Sequence, residues 1–396
     1  MHTNSSGLLE KERRMEFSDN QTANVYIKKK SRVPLFTALI LIAVMLILNV
    51  ISWVSIDFSD WYSGNVFPLI NNTVARLTGA IPFSLGEILI VLGILILLVG
   101  PLSFIICMII LKKKRKRILR FTGMFMLWVF TYILATETMN CFIMYHCTPV
   151  SETLYGGGSE HDFEQLVQLG EIVIDGVNYY SARVDRDQNG RVIVPDDLYD
   201  KAENAMNNIS NTFPMLKGYY PDAKAMIFSD LMTQMDLAGV YYPFTLEANY
   251  NANMYPANFA DTICHEYSHL KGYIQEDEAN FLSYVACISY DNDYFRYSGY
   301  LSAFNYVLGE IRTYGDQETI NRLWSSVDEQ VWEDNIFVEQ SIIDQIEEES
   351  IFPSEKASAF SDTAIDTSLK LNGVSDGKQS YGRMVNLLLD FYFSEQ

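Results

Sequence analysis

Three long apolar runs near the amino terminus constrain this chain more than any other feature. Pro34 to Val54 carries no charged residue. As a helix rising 1.5 Å per residue it is long enough for the ~30 Å hydrocarbon core of a bilayer. A second run covers Gly86 to Leu111 and a third Phe121 to Tyr145. Pro101 interrupts the second, which neighbouring helices can accommodate. Basic clusters sit before the first run (Lys28-Lys29-Lys30-Ser31-Arg32) and between the second and third (Lys112 to Arg117), whereas the 55–85 connection holds Arg76 alone. The excess of Lys and Arg on cytoplasmic loops then puts the N-terminus inside and everything after Tyr145 outside. The polar leader is longer than the charged region of a signal peptide and lacks a small-residue cleavage site, so it reads as a retained anchor.

The expected organisation is a membrane-anchored α+β protein: a cytoplasmic tail at 1–33, a membrane region at 34–145 with spans at about 34–54, 86–111 and 121–145, and an extracytoplasmic domain at 146–396. Glu137, in the third run, lies about 24 Å along from Phe121 and reads as an interfacial group rather than an ion ligand. The 55–85 connection, with Trp53 before it and Trp61 and Tyr62 within it, is expected at the outer interface. Gly156-Gly157-Gly158-Ser159 reads as a flexible joint between anchor and domain.

Charge divides the chain in the same place. Residues 1–145 hold 15 basic and 8 acidic side chains (+7), and residues 146–396 hold 14 and 41 (−27), giving the overall −20. So acidic a rear half repels nucleic acid and anionic lipid. The apolar runs call for the lipid bilayer as partner, and no nucleic-acid partner is expected. Five cysteines do not make a disulfide framework.

The rear half has a globular pattern. Glu164 to Ile174 has helical spacing. Tyr179–Val184 and Arg191–Val194 alternate around Asn189-Gly190 and read as a hairpin. The loop Asp185–Gly190 resembles the first half of a calcium-binding EF-hand, but Asp196 stands where Glu belongs and the flanks read as strands, so the hairpin is preferred. Asp197–Thr212 reads as a helix, Ala223–Phe228 and Gly239–Phe244 as strands. Pro243 confines the latter to a sheet edge.

His265-Glu266-Tyr267-Ser268-His269 carries the chemistry. Residues four apart share one helix face, so both imidazoles can reach one metal. Glu266, about 100° around the helix, can act on a water without competing for that metal. Phe259, Ile263, Tyr267, Leu270 and Ile274 mark the buried side of a helix over about 258–271, with Asn258 a plausible N-cap and Gly272 a plausible stop. Charges within it rule out a membrane span. Catalytic zinc takes three protein ligands and keeps one position open, and Glu276, Asp277 and Glu278 offer three carboxylates at the start of the next helix. Tyr381 and Arg383, between a turn-rich stretch and a terminal helix at 384–393, are candidates to stabilise an oxyanion. Residues 303–349 read as helical with a solvated acidic end.

An H-E-x-x-H helix followed by a helix bearing Glu resembles the gluzincin branch of zinc peptidases. Glu278-Ala279-Asn280-Phe281 is similar to the E-A-N-x-F turn of some bacterial members, where the Glu is the third ligand. The overall layout resembles a bacterial family of uncharacterised three-span membrane proteins, through 81–87, 242–249, 264–287 and 380–383. The resemblance implies a zincin-like domain with Zn2+ held by His265, His269 and Glu278, Glu276 the runner-up, Glu266 the general base, and a peptide or protein substrate. One departure stands out: Leu282 occupies the place where the thermolysin-like branch has an Asp orienting a histidine, so support must come from Asn280, Asp261 or a backbone carbonyl. Pairing His269 with Glu278 across antiparallel helices makes Cys264 and Cys287 neighbours, as a disulfide or as packed thiols. The expected function is a membrane-anchored zinc metallopeptidase. The alternative is a catalytically inactive, metal-stabilised binding or sensor domain.

Overall fold

The computed structural model describes residues 32–157, 160–350, 353–372 and 383–394. The first apolar run is helix α1 (Val33–Val54). Ser55 ends it and caps the next helix, its hydroxyl accepting the Phe58 N–H at 3.2 Å, as short hydroxyl side chains do at helix starts. Two short helices fill the connection, α2 (Ile56–Asn65) and α3 (Phe67–Gly79). Ser84, followed by Glu87, caps α4 (Leu85–Ile110), which passes through Pro101 unbroken. Helix α5 (Arg115–Glu137) continues through a π turn (Thr138–Phe142) and a 3-10 turn (Met144–His146). Among the described residues, three helical stretches are thus long and apolar enough to cross a membrane, Val33–Val54, Leu85–Ile110 and Lys112–Tyr155.

The rest is mostly helical. Helix α6 (Val150–Tyr155) precedes α7 (Phe163–Ser181), which Asp162 and Gln165 start with a reciprocal cap. The expected hairpin is corrected here. Tyr179, Tyr180 and Ser181 belong to α7, and the Asn189-Gly190 turn carries one antiparallel bridge, Arg186 to Val192. Asp187 accepts the N–H groups of Asn189 and Arg191 within its own turn. Arg186 instead reaches inward as a bidentate partner of buried Asp334, at 3.0 and 2.7 Å.

After α8 (Leu198–Asn208) comes a small sheet. Strand β1 (Lys224–Ala225) is far shorter than the 223–228 expected. Helix α9 (Ser229–Gln234) leads to β2 (Gly239–Tyr242) and β3 (Glu247–Tyr250). The order is β1-β3-β2, with β1 parallel and β2 antiparallel to β3, so β2 is an edge strand as Pro243 requires. Helices α10 (Phe259–Leu270), α11 (Glu276–Ser289) and α12 (Asp293–Tyr314) follow. The chain closes with α13 (Gln317–Ser325), α14 (Glu329–Asp334), α15 (Gln340–Glu349), α16 (Ser354–Leu371) and α17 (Arg383–Phe393). Helices α7, α10, α11, α12 and α17 pack on one another around one core.

That core also contains Tyr62, Phe67, Ala75, Ile143, Met144 and Val150. The glycine joint at 156–159 therefore does not separate anchor from domain, because residues on both sides of it bury apolar surface together. Gly158 and Ser159 lie outside the described residues. The junction is also polar. Glu247, on the central strand, accepts the N–H groups of Leu85 and Gly86 at the start of α4 and pairs with buried Lys224. Glu87 accepts the N–H groups of Ile227 and Phe228.

Candidate metal centre

Helix α10 buries Ile263, Tyr267 and Leu270 at 1% exposure or less, which turns His265, Glu266 and His269 toward a cavity of about 810 Å³. The helix ends as its glycine predicts. Gly272 takes φ +98°, a left-handed value that costs glycine little. The Tyr273 N–H then bonds back to the Ser268 carbonyl and the Gly272 N–H to that of His269, the pairing of a Schellman turn. Asn258 occupies the N-cap but makes no side-chain cap bond, and its amide nitrogen donates to the Ile336 carbonyl. Asn71 of α3 donates to the Leu270 carbonyl at 2.8 Å, satisfying a helix-end group that the turn leaves open.

The same turn orients His269. It brings the Tyr273 carbonyl to 2.8 Å from Nδ1 of His269. That carbonyl only accepts, so Nδ1 donates to it and Nε2 is the nitrogen left facing the cavity. Of the supports weighed for the departure at Leu282, a backbone carbonyl takes the role for His269.

Glu276, the runner-up, is the carboxylate that stands beside both histidines. Its carboxylate lies 3.3 Å from His265 Nε2 and 3.6 Å from His269 Nε2. One donor atom from each of these residues falls within 4.8 Å of the others. Glu278, carried over by resemblance, does not join them: its carboxylate accepts the Val150 N–H at 2.7 Å. Burial pushes the Glu278 carboxyl up to about 8, with the Val150 bond opposing. Arg383, the other displaced candidate, donates from Nε to Asp277 at 3.0 Å and is absent from the cavity wall. Tyr381 lies outside the described residues.

Electrostatics match the geometry. Burial alone would lower the His265 pKa, but the hydrogen-bonded Glu276 carboxylate outweighs it and raises it to about 9. Glu276 is held below the usual carboxylate range, burial being overcome by the two imidazoles. Burial raises the Glu266 carboxyl to about 7 against the pull of both histidines. Its Oε2 is buried with no hydrogen-bond partner in the protein. Gly239 makes room for this side chain, since a Cβ there would stand 2.3 Å from Glu266 Oε1.

Two histidine nitrogens, one carboxylate oxygen, a fixed tautomer and an orphaned carboxylate beside them fit a zinc ion with an open coordination position. Sequence reasoning missed Gly239 and Tyr306, whose hydroxyl-bearing ring lines the cavity among Glu276, Asp261 and Asn280, and it left open which carbonyl supports His269. None has a local signature, because each reaches the site from a separate element. The wall also takes Glu137, Cys141 and Tyr145 from the end of the third apolar stretch. Six carboxylates (Glu137, Asp236, Asp261, Glu266, Glu276, Asp362) and no Lys or Arg line the cavity among the described residues. Cys264 and Cys287 are buried neighbours and unbonded thiols.

Residues 62–389 match the family described as "Protein of unknown function (DUF3810)", and the chain belongs to it. No curated protein and no solved structure matches the chain.

Proposed function

We propose that this protein is a membrane-anchored, zinc-dependent hydrolase of peptide bonds with a zincin-like site, its globular part outside the cytoplasm of a bacterial cell. The observation that carries the reading is the convergence of His265, His269 and Glu276 within 4.8 Å beside the orphaned Glu266 carboxylate. A purely structural site, closed by four protein ligands, has no use for that carboxylate. His265, His269 and Glu276 would hold the ion. Bound there, zinc would polarise the scissile carbonyl and acidify a water. Glu266 takes up the proton and returns it to the leaving amine, for which a pKa near 7 suits it. Edge strand β2 lines the cavity and can pair with an extended peptide. Tyr306, its hydroxyl kept protonated by burial, is positioned to donate to a developing oxyanion. The basic clusters at 28–32 and 112–117 support this orientation.

The test uses the full-length protein in detergent. Wild type and Glu278→Ala should each carry about one zinc per chain, and Glu276→Ala should lose it. Glu266→Gln should keep zinc and lose hydrolysis of a peptide library, and Tyr306→Phe should lose about 10²-fold. No zinc in the wild type after metal addition sinks the reading, whereas zinc without hydrolysis supports the non-catalytic binding domain.

A further inference from the structure

The level of the site relative to the bilayer can be counted along three helices. The basic cluster ahead of the third apolar stretch ends at Arg120. A hydrocarbon layer of ~30 Å beginning at Phe121 uses about 20 residues and ends near Cys141. The same length counted back from Leu111 along α4 ends near Val91, one turn below Glu87, which is bonded to Ile227 and Phe228. The third marker is Trp53, in the last turn of α1. Its ring is centred 4.6 Å from that of His146 and 6.3 Å from that of Phe142. Tryptophan settles at membrane–water interfaces. The third stretch and Trp53 set the boundary near Cys141, and α4 sets it one turn below Glu87.

Cys141 and Glu137 line the same cavity as His265, Glu266 and His269. The turn after β2 reaches deeper. The Pro243 carbonyl accepts from Asn140 and the Phe244 carbonyl from the Tyr132 hydroxyl, both at 2.6 Å. Tyr132 lies nine residues before Cys141, about 13 Å further into the layer. Ile56, Trp61, Leu69, Leu77, Ile227 and Leu231, on segments that adjoin the outer ends of the spans, are exposed, apolar surface suited to lipid.

Resting on the hydrolase reading above, we infer that the substrate is the segment of another membrane-anchored protein lying within a few residues of its own span. Such a segment emerges at the height of the cavity and can lie along β2 without leaving the membrane surface. Tethering in the same bilayer raises its effective concentration at the site. The six lining carboxylates repel an anionic lipid headgroup, so the belt meets lipid and the cavity meets peptide.

The full-length zinc-loaded protein is reconstituted in phosphatidylcholine–phosphatidylglycerol vesicles with a single-span peptide bearing a randomised segment outside the membrane. The same segment without the span is the comparison, and Glu266→Gln supplies the background. Mass spectrometry should place the cuts within about five residues of the span, a reach of ~17 Å for extended chain, with the anchored probe cut at least tenfold faster. Equal rates, or cuts spread evenly along the segment, overturn the inference while leaving the hydrolase reading intact. A second measurement fixes the depth without substrate. A fluorophore on Val240→Cys, with Cys107, Cys141 and Cys147 replaced by Ala, should be quenched by nitroxide on lipid headgroups. Quenching by water-soluble nitroxide alone overturns the inference as well. Headgroup quenching with neither probe cut removes the hydrolase reading, and the substrate with it.

Discussion

Glu276 and Glu278 stand two residues apart on the first turn of one helix, roughly 200° around its axis, and only Glu276 faces the histidines. His265, Glu266 and His269 were legible because placing i and i+4 on one face needs no knowledge of the fold. Which carboxylate joins them was not. It depends on how α11 is rotated, which the turn at 271–275 and the claim of the Val150 N–H on Glu278 decide. Gly239 was invisible for the same reason, as it meets Glu266 only through tertiary packing. Gly239→Ala forces a Cβ to within 2.3 Å of Glu266 Oε1. Displacing a catalytic group by about 1 Å costs about 10²-fold, so kcat/KM should fall by that order while zinc content holds, and unchanged turnover would contradict the role given to Glu266. A second prediction concerns protons. In the metal-free protein His265 stays protonated up to about pH 9, and zinc needs the neutral imidazole. Zinc binding at pH 7.5 should release a proton, and affinity should rise about tenfold per pH unit until pH nears 9. Calorimetry in two buffers of different ionisation enthalpy measures the release directly.

Among the elements, the long apolar helices and α10 were legible because their patterns run for several turns. The strands were not. Tyr179–Val184 alternates like a strand, yet α7 continues to Ser181 because Val173 and Val177 bury against the core and their packing outweighs a weak β preference. Strand β1 shrinks to two residues because parallel pairing with β3 lasts only from Lys224 to Ala225. The turn closing α10 acts as an element in its own right, since it both stops the helix and holds His269. Gly272→Ala puts a Cβ on a left-handed residue and 3.1 Å from the Phe67 ring. Supports of this kind are worth 10–100-fold in metal affinity. Zinc affinity is expected to drop about tenfold or more, and a competition titration with a chelator would show it. Undiminished affinity would mean that the Tyr273 carbonyl does not orient the ligand.

At the scale of the whole molecule, three apolar stretches announced themselves by length, but their union with the rear half did not. No local pattern says that Glu247 will accept from the start of α4 or that Lys224 will lie buried beside it. Lys224 is 7% exposed and Glu247 2%. Removing one member of such a pair strands a buried charge, at a cost of about 3–5 kcal/mol. Glu247→Ala should therefore destabilise the protein by that amount in denaturant unfolding, and Lys224→Met with Glu247→Leu should recover much of it. A loss no larger in the single variant than in the double one would argue against burial of the charge.

The placement of Tyr62, Phe67 and Ala75 in the common core has a consequence for how the protein is made and taken apart. The globular part is stitched from chain on both sides of the second and third apolar helices, with Asn71 of α3 closing the end of α10. Its core cannot finish forming until those two helices are in place and the last helix has been synthesised. A nick at Gly156-Gly157 would not shed a soluble fragment, because the severed piece would still be gripped by residues that come before the cut.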